Sequence, residues 1–149
     1  MVKQTITYTD YFGKTRTEDF YFNLTKMELT EMMVSVDGDM ETILQNMVNN
    51  KNYKDLLQTF NTFVSKAYGE RSEDGRYFNK SEEIRNSFLN SAAYDELCNE
   101  IFYKEGGTEL ALNLMIRALP QEIQGKLGPG FAKKAIGEAE KNFSVVDDS

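Results

Sequence analysis

The sequence predicts an α+β fold: a mainly α-helical domain that opens with an N-terminal antiparallel β-hairpin. Two observations carry this. Two-residue alternation of apolar and polar side chains is confined to residues 3–23, and from residue 26 apolar residues recur at spacings of three and four, between local signals for helix starts and stops. The order of these patterns places one globular domain at 1–119, with the hairpin at 3–23 and helices from about 26 to 119, followed by a flexible C-terminal tail at 120–149.

The hairpin comes from KQTITYT at 3–9, with Ile6 and Tyr8 on one face, and TRTEDFYFN at 15–23, with Phe20 and Phe22 on one face and Tyr21 opposite. Gly13 supplies a positive φ for the short connection Asp10-Tyr11-Phe12-Gly13-Lys14. A lone hairpin is only marginally stable, so its Phe20/Phe22 side needs helices or another chain's strands. The first helix has the clearest local start. Thr25 and Glu28 match a capping box, with Leu24 and Leu29 placed as a hydrophobic staple, so the helix begins at Lys26 and runs to about residue 35. Asp37-Gly38 ends it and Asp39 caps a second helix, in which Met40, Ile43, Leu44, Met47 and Val48 form one stripe. The methionines Met27, Met32, Met33, Met40 and Met47 read as core filling, with an adaptable binding surface as the alternative.

Asn52 caps a third helix, whose stripe is Tyr53, Leu56, Leu57, Phe60, Val64 and Ala67, with Gly69 as the C-terminal stop. A charged loop, ERSEDGRYFNK, follows between Tyr68 and the pair Tyr77 and Phe78. Rings at both ends would hold an exposed excursion to the body, either as a plain connection or as a functional loop. Asn79 and Glu82 then resemble a capping box for a short helix with Ile84, Phe88 and Leu89 on its face. Ser91 caps the next, with Tyr94, Leu97, Cys98, Ile101 and Phe102 on one side, and Gly106-Gly107 closes it. The helix from about Glu109 to Leu119 has only Glu109, Asn113 and Arg117 as a polar strip, so it is buried on more than one side. Pro120 ends it, and beyond it a short frayed helix at about 131–142 is the most the pattern supports.

Composition narrows the chemistry. Lys and Arg total 17 against 24 Asp and Glu, a net charge of −7, which opposes binding to a phosphate backbone, so no nucleic-acid partner is expected. The chain has no histidine, which removes the Ser-His-Asp triad and histidine-containing zinc sites. The nearest carboxylate cluster, Asp37-Gly-Asp39-x-Glu41, lacks the ligand ladder of a calcium loop, and no glycine spacing makes a phosphate cradle. No cofactor, metal or catalytic residue is therefore assigned. The single cysteine, Cys98, sits at an apolar helical position and reads as a small buried hydrophobe in a reducing compartment. No apolar run reaches the roughly 18 residues of a membrane span, and MVKQTITYTD has no signal-peptide core, so a cytoplasmic protein without a membrane partner is expected.

Three segments resemble the tail assembly chaperones of long-tailed bacteriophages: the hairpin running into FYFNLTKMELTEM (Phe20 to Met32), KAYGERSEDGRYFNKSEEIRNSF (Lys66 to Phe88), and SAAYDELCNEIF followed by LMIRALP (Ser91 to Pro120). The central segment is the most specific of these, and the residues after Pro120 match nothing in the pattern. The resemblance implies a non-enzymatic protein in the cytoplasm of the infected host, absent from the mature virion. Such a protein binds the tape-measure protein, helps recruit tail-tube subunits, and often has a longer frameshifted product. A structural component of the tail or neck is the alternative, and an enzyme or metal-dependent regulator a more distant one.

Two surfaces lacking an obvious cover, the small hairpin and the apolar helix at 109–119, predict a homo-oligomer, with a ring or spiral added by the resemblance. Leu112, Ile116 and Leu119 share one arc of that helix. They are the expected residues for the oligomer interface or a tape-measure contact.

Overall fold

The computed structural model describes residues 1–35 and 53–127. Two strands open the chain, β1 (Val2–Thr9) and β2 (Thr15–Phe22), followed by helix α1 (Lys26–Ser35). After α2 (Tyr53–Ala67) come β3 (Tyr68–Arg71) and β4 (Phe78–Asn79), then α3 (Glu82–Leu89), α4 (Ala92–Phe102), α5 (Gly107–Arg117) and α6 (Gln121–Leu127). The α+β class and the opening antiparallel hairpin are as the sequence predicts. The helix expected at about 40–48, the Asp37/Asp39/Glu41 cluster and the frayed helix expected at 131–142 lie outside the described residues.

The hairpin is in register over its whole length, from Val2 opposite Phe22 to Thr9 opposite Thr15. Its inward face carries Val2, Ile6 and Phe22 into the core, while Lys3, Thr5, Thr7 and Thr9 are exposed. The sheet is larger than the hairpin. β3 pairs antiparallel with the end of β2, Tyr21 with Gly69 and Phe22 with Tyr68, and then with β4, giving the order β1-β2-β3-β4. β3 and β4 fall where the sequence predicts a loop, because four residues and two residues are too short to show alternation.

Gly69 was expected to stop α2 as a left-handed residue; instead the helix ends at Ala67 and the chain runs straight into β3. Glycine is needed for proximity. A Cβ there would lie 2.6 Å from Cε2 of Phe78 and 2.9 Å from the Asn79 carbonyl oxygen, so any side chain would push β4 off β3.

The helix starts are set locally. Thr25 Oγ1 accepts from Glu28 N–H at 3.1 Å and Glu28 Oε1 accepts from Thr25 N–H at 2.9 Å, which is the predicted capping box; Leu24 and Leu29 are both buried beside it. Ser91 caps α4 as expected, accepting from Tyr94 N–H at 3.1 Å. For α3 the cap is Ser81, which accepts from Ile84 N–H, and not Asn79, because Asn79 is engaged in β4.

One core joins the layers. Phe60, Phe63, Val64 and Ala67 of α2, Leu97 and Ile101 of α4, and most of α5 meet the inner face of the sheet. Leu57, assigned to the α2 stripe, is 45 % exposed and lies at its margin. Tyr68 stacks on Phe88 with ring centroids 4.1 Å apart, and Phe20 and Phe22 both pack on the same Phe88 ring. On α5 the predicted polar strip holds, with Glu109 and Arg117 exposed and Asn113 half-buried, and the rest of the helix packs inward. Past Pro120, residues 121–127 are helical rather than an extension of a loose tail. The Pro120 carbonyl accepts from Ile123 and Gln124 N–H, the Gln124 side chain donates to the Leu119 carbonyl at 2.7 Å, and Ile123 packs on the core.

Candidate interaction surfaces at the hairpin tip and beside β2

The connection between β1 and β2 is built around Asp10. Its Oδ1 accepts from Phe12 N–H and Lys14 N–H, each at 2.9 Å, and its Oδ2 lies 2.6 Å from Arg16 Nε. The backbone closes the same loop, Asp10 N–H donating to the Lys14 carbonyl and Gly13 N–H to the Asp10 carbonyl, with Gly13 at φ 85°. The Arg16 guanidinium and the Lys14 N–H hold the Asp10 carboxyl below the usual carboxylate range. This fixed turn leaves Tyr11 83 % and Phe12 92 % exposed, more than any other large apolar side chain among the described residues. Isolated exposed apolar residues are ordinary; two adjacent rings held outward by a hydrogen-bonded turn make a candidate contact.

A second feature lies where the sheet divides. β3 stays with β2 for only two residue pairs before turning to β4, so β2 and β3 part beyond Tyr21 and Gly69. An open cleft of about 630 Å³ fills the gap, floored by Phe20, Tyr21, Tyr68 and Gly69. Its charged rim is Glu18, Asp19, Glu70 and Glu73 against Arg71, four carboxylates and one guanidinium. Arg71 lies over the Tyr21 ring, 4.4 Å from its centroid, and donates to the Tyr21 hydroxyl at 3.2 Å. Burial, with the carboxylates of Glu70 and Glu18 nearby, pushes the Tyr68 phenol up to about 12.

The loop between β3 and β4 closes the far end. Ser72 N–H donates to the Tyr77 carbonyl, Ser72 Oγ donates to Asp74 Oδ1 at 2.8 Å, and Tyr77 N–H donates to Ser72 Oγ. Of the rings expected to pin this loop, Tyr68 is buried and Phe78 half-buried, but Tyr77 is 59 % exposed, with Arg76 over its face.

A family model described as phage tail assembly chaperone matches residues 1–146, nearly the whole chain. The chain belongs to this family. Comparison with curated proteins and with solved structures gives no match. Membership of a phage tail assembly chaperone family points to interaction with tail proteins, for which the two surfaces above are candidates.

The residues expected to make that contact are elsewhere. Leu112, Ile116 and Leu119 are 1 %, 8 % and 2 % exposed and belong to the same core cluster as Phe22 and Phe60. The apolar arc of this chaperone's α5 is covered by its own chain, because α4 and the sheet lie against it. Cys98 is half-buried beside Tyr94, and burial pushes its thiol up, away from reactivity. No group of three or more Cys, Asp and Glu side chains that could hold a metal ion occurs among the described residues. No helix among them is long and apolar enough to cross a membrane.

The exposed tip is not evident from local pattern, because Asp10-Tyr11-Phe12-Gly13-Lys14 reads only as a turn. Its signal was nonetheless present, as two adjacent aromatics in a turn otherwise made of Asp, Gly and Lys.

Proposed function

We propose that this tail assembly chaperone acts without catalysis, binding the tape-measure protein of the growing tail and holding its apolar helices in solution while tail-tube subunits are recruited. It works in the cytoplasm of the infected host and is left out of the mature virion. Membership of the family across residues 1–146 is the observation that carries the reading. The net charge of −7 supports it, because an acidic surface keeps a complex with an apolar client dispersed.

The test is co-expression with the tape-measure protein of the same phage. The expected result is that the tape-measure protein moves from the pellet to the soluble fraction and co-purifies with the chain. Mass spectrometry of purified virions should find the chain depleted relative to tail-tube protein. Unchanged solubility together with abundance in virions would replace the chaperone reading with a structural tail or neck component.

A further inference from the structure

We infer that the free edge of β2 takes an extended, basic segment of a partner protein as an added strand, in the cleft where β2 and β3 part. The backbone directions fix which groups are on offer. Asp10 N–H donates to the Lys14 carbonyl at 2.8 Å in the hairpin's own register, so even-numbered residues of β2 turn their backbone groups to β1. Asn23 N–H donates the other way, to the Ala67 carbonyl at 2.8 Å, so odd-numbered residues turn theirs to the β3 side. Tyr21 is met there by Gly69. Asp19 and Thr17 come next, but β3 has by then turned to β4, and no described strand pairs with them on that side. Such a row of backbone donors and acceptors is a template for one more strand.

The charge around the edge selects the occupant. On the core-facing side of the sheet the Tyr8 hydroxyl donates to Glu18, and the rings of Phe20 and Tyr68 lie with centroids 6.4 Å apart. Glu70, two residues on from Tyr68 in β3, shares that side. A strand added here would carry every second side chain over two rings and between two carboxylates, which suits Lys or Arg, the stem lying on the rings and the cation meeting the carboxylates. On the opposite side Asp19 already accepts from Thr5 Oγ1 at 2.6 Å and Arg71 covers Tyr21, so small polar residues fit the alternate positions. Carboxylates along an edge keep acidic strands away and favour a basic one. The occupant is extended and charged, so the contact goes beyond the holding of apolar helices and is testable without the tape-measure protein.

The probe is a synthetic peptide alternating Arg and Thr over about seven residues, an ordinary strand length, titrated calorimetrically into the full chain. With its arginines on the Phe20 side, its Thr residues lie opposite Thr17 and Asp19 and turn their N–H groups to β2. Methylating the Thr backbone nitrogens therefore removes the ladder and leaves the charge. That peptide, and one with Glu in place of Arg, should each bind at least about tenfold more weakly than the parent. Glu70 is exposed, so Glu70→Lys should keep the wild-type melting temperature and weaken the parent peptide by about tenfold. Amide exchange should be fast at Thr17 and Asp19 in the free chain and slowed by the parent peptide. No binding of the parent peptide would overturn the inference. So would equal binding of the methylated peptide, which would show attraction without strand pairing, or undiminished binding to Glu70→Lys, which would place the peptide elsewhere. Slow exchange at Thr17 and Asp19 in the free chain would also overturn it, the edge then being covered by the chain itself or by a second copy. None of these results bears on whether co-expression keeps the tape-measure protein soluble.

Discussion

Lys80 does more for the fold than its sequence context suggests. In FNKSEE it reads as one solvated cation among charges, yet its Nζ donates to the carbonyls of Asn23 at 2.5 Å and Lys66 at 2.8 Å and to both carboxylate oxygens of Glu28 at 2.7 and 2.8 Å. It thereby ties the end of β2, the start of α1 and the end of α2 to the strand before α3. Its partners are up to 57 residues away in the chain, which is why no local pattern shows them. The Thr25–Glu28 capping box, by contrast, was legible because its four residues contain all of its chemistry. Lys80→Met should destabilise by about 2–3 kcal/mol, since it strands the part-buried Asn23 carbonyl and the part-buried Glu28 carboxylate; a urea midpoint within error of wild type would show the hub to be incidental. Thr25→Ala should cost about 1 kcal/mol, the usual loss for an N-cap hydroxyl, read the same way. For Glu28, burial raises the carboxyl's pKa, but hydrogen bonds from Lys80 and the Thr25 N–H outweigh it and hold the group below its ordinary 4.5. The Lys80 ammonium is also lowered, burial outweighing the attraction of Glu28, so the two shifts disagree on how favourable the pair is. Only Glu28 titrates in acid, and its folded value lies below its unfolded one. Its contribution is present above about pH 4.5 and is lost as pH falls through the lower folded value, so Glu28→Gln should flatten that limb of an acid-unfolding curve.

At the scale of elements, what was readable followed from length. The eight-residue strands, the α2 stripe around Phe60 and Val64, and the two-sided burial of α5 all repeat their pattern often enough to be seen. β3 and β4 do not, and their existence depends on a tertiary fact, that Tyr68 stacks on Phe88 while Gly69 lets Phe78 approach. The α4–α5 junction gives the sharpest element-scale prediction. Gly106 and Gly107 were read together as a helix stop, but their reasons differ. Gly106 holds φ 78° with open space around a would-be Cβ, whereas a Cβ on Gly107 would fall 1.9 Å from the Ile101 carbonyl oxygen. Gly106→Ala should cost about 1–2 kcal/mol for the left-handed conformation. Gly107→Ala should cost about 3 kcal/mol, because backbone and not a flexible side chain must move, and α5 is displaced from α4. Thermal unfolding of the pair would rank them, and equal losses would show that conformation alone matters there.

For the whole molecule the question is what the apolar α5 is for. Its composition allows two roles, a face held out to a partner or the central member of a single core, and sequence cannot separate them because both demand the same residues. The fold places Leu112, Ile116 and Leu119 inside, with the sheet and α4 against them and the Leu24 N–H donating to the Ala118 carbonyl at 2.9 Å, so that α5 also anchors the exit from β2. Truncating Leu112 to Ala should then cost about 2–5 kcal/mol, the range for a fully buried leucine. The double substitution Leu112→Asp with Ile116→Asp puts two carboxylates where no water or cation reaches, and should unfold the chain as a unit, because α2, α4, α5 and the hairpin share one cluster. Circular dichroism and hydrodynamic radius would then change together, and loss of client binding would follow from loss of structure. A double variant that keeps wild-type ellipticity and a monomer's radius but loses the proposed solubilisation of the tape-measure protein would reverse the assignment. It would mean that α5 leaves the core to meet its client, and that the buried state seen here is the resting one.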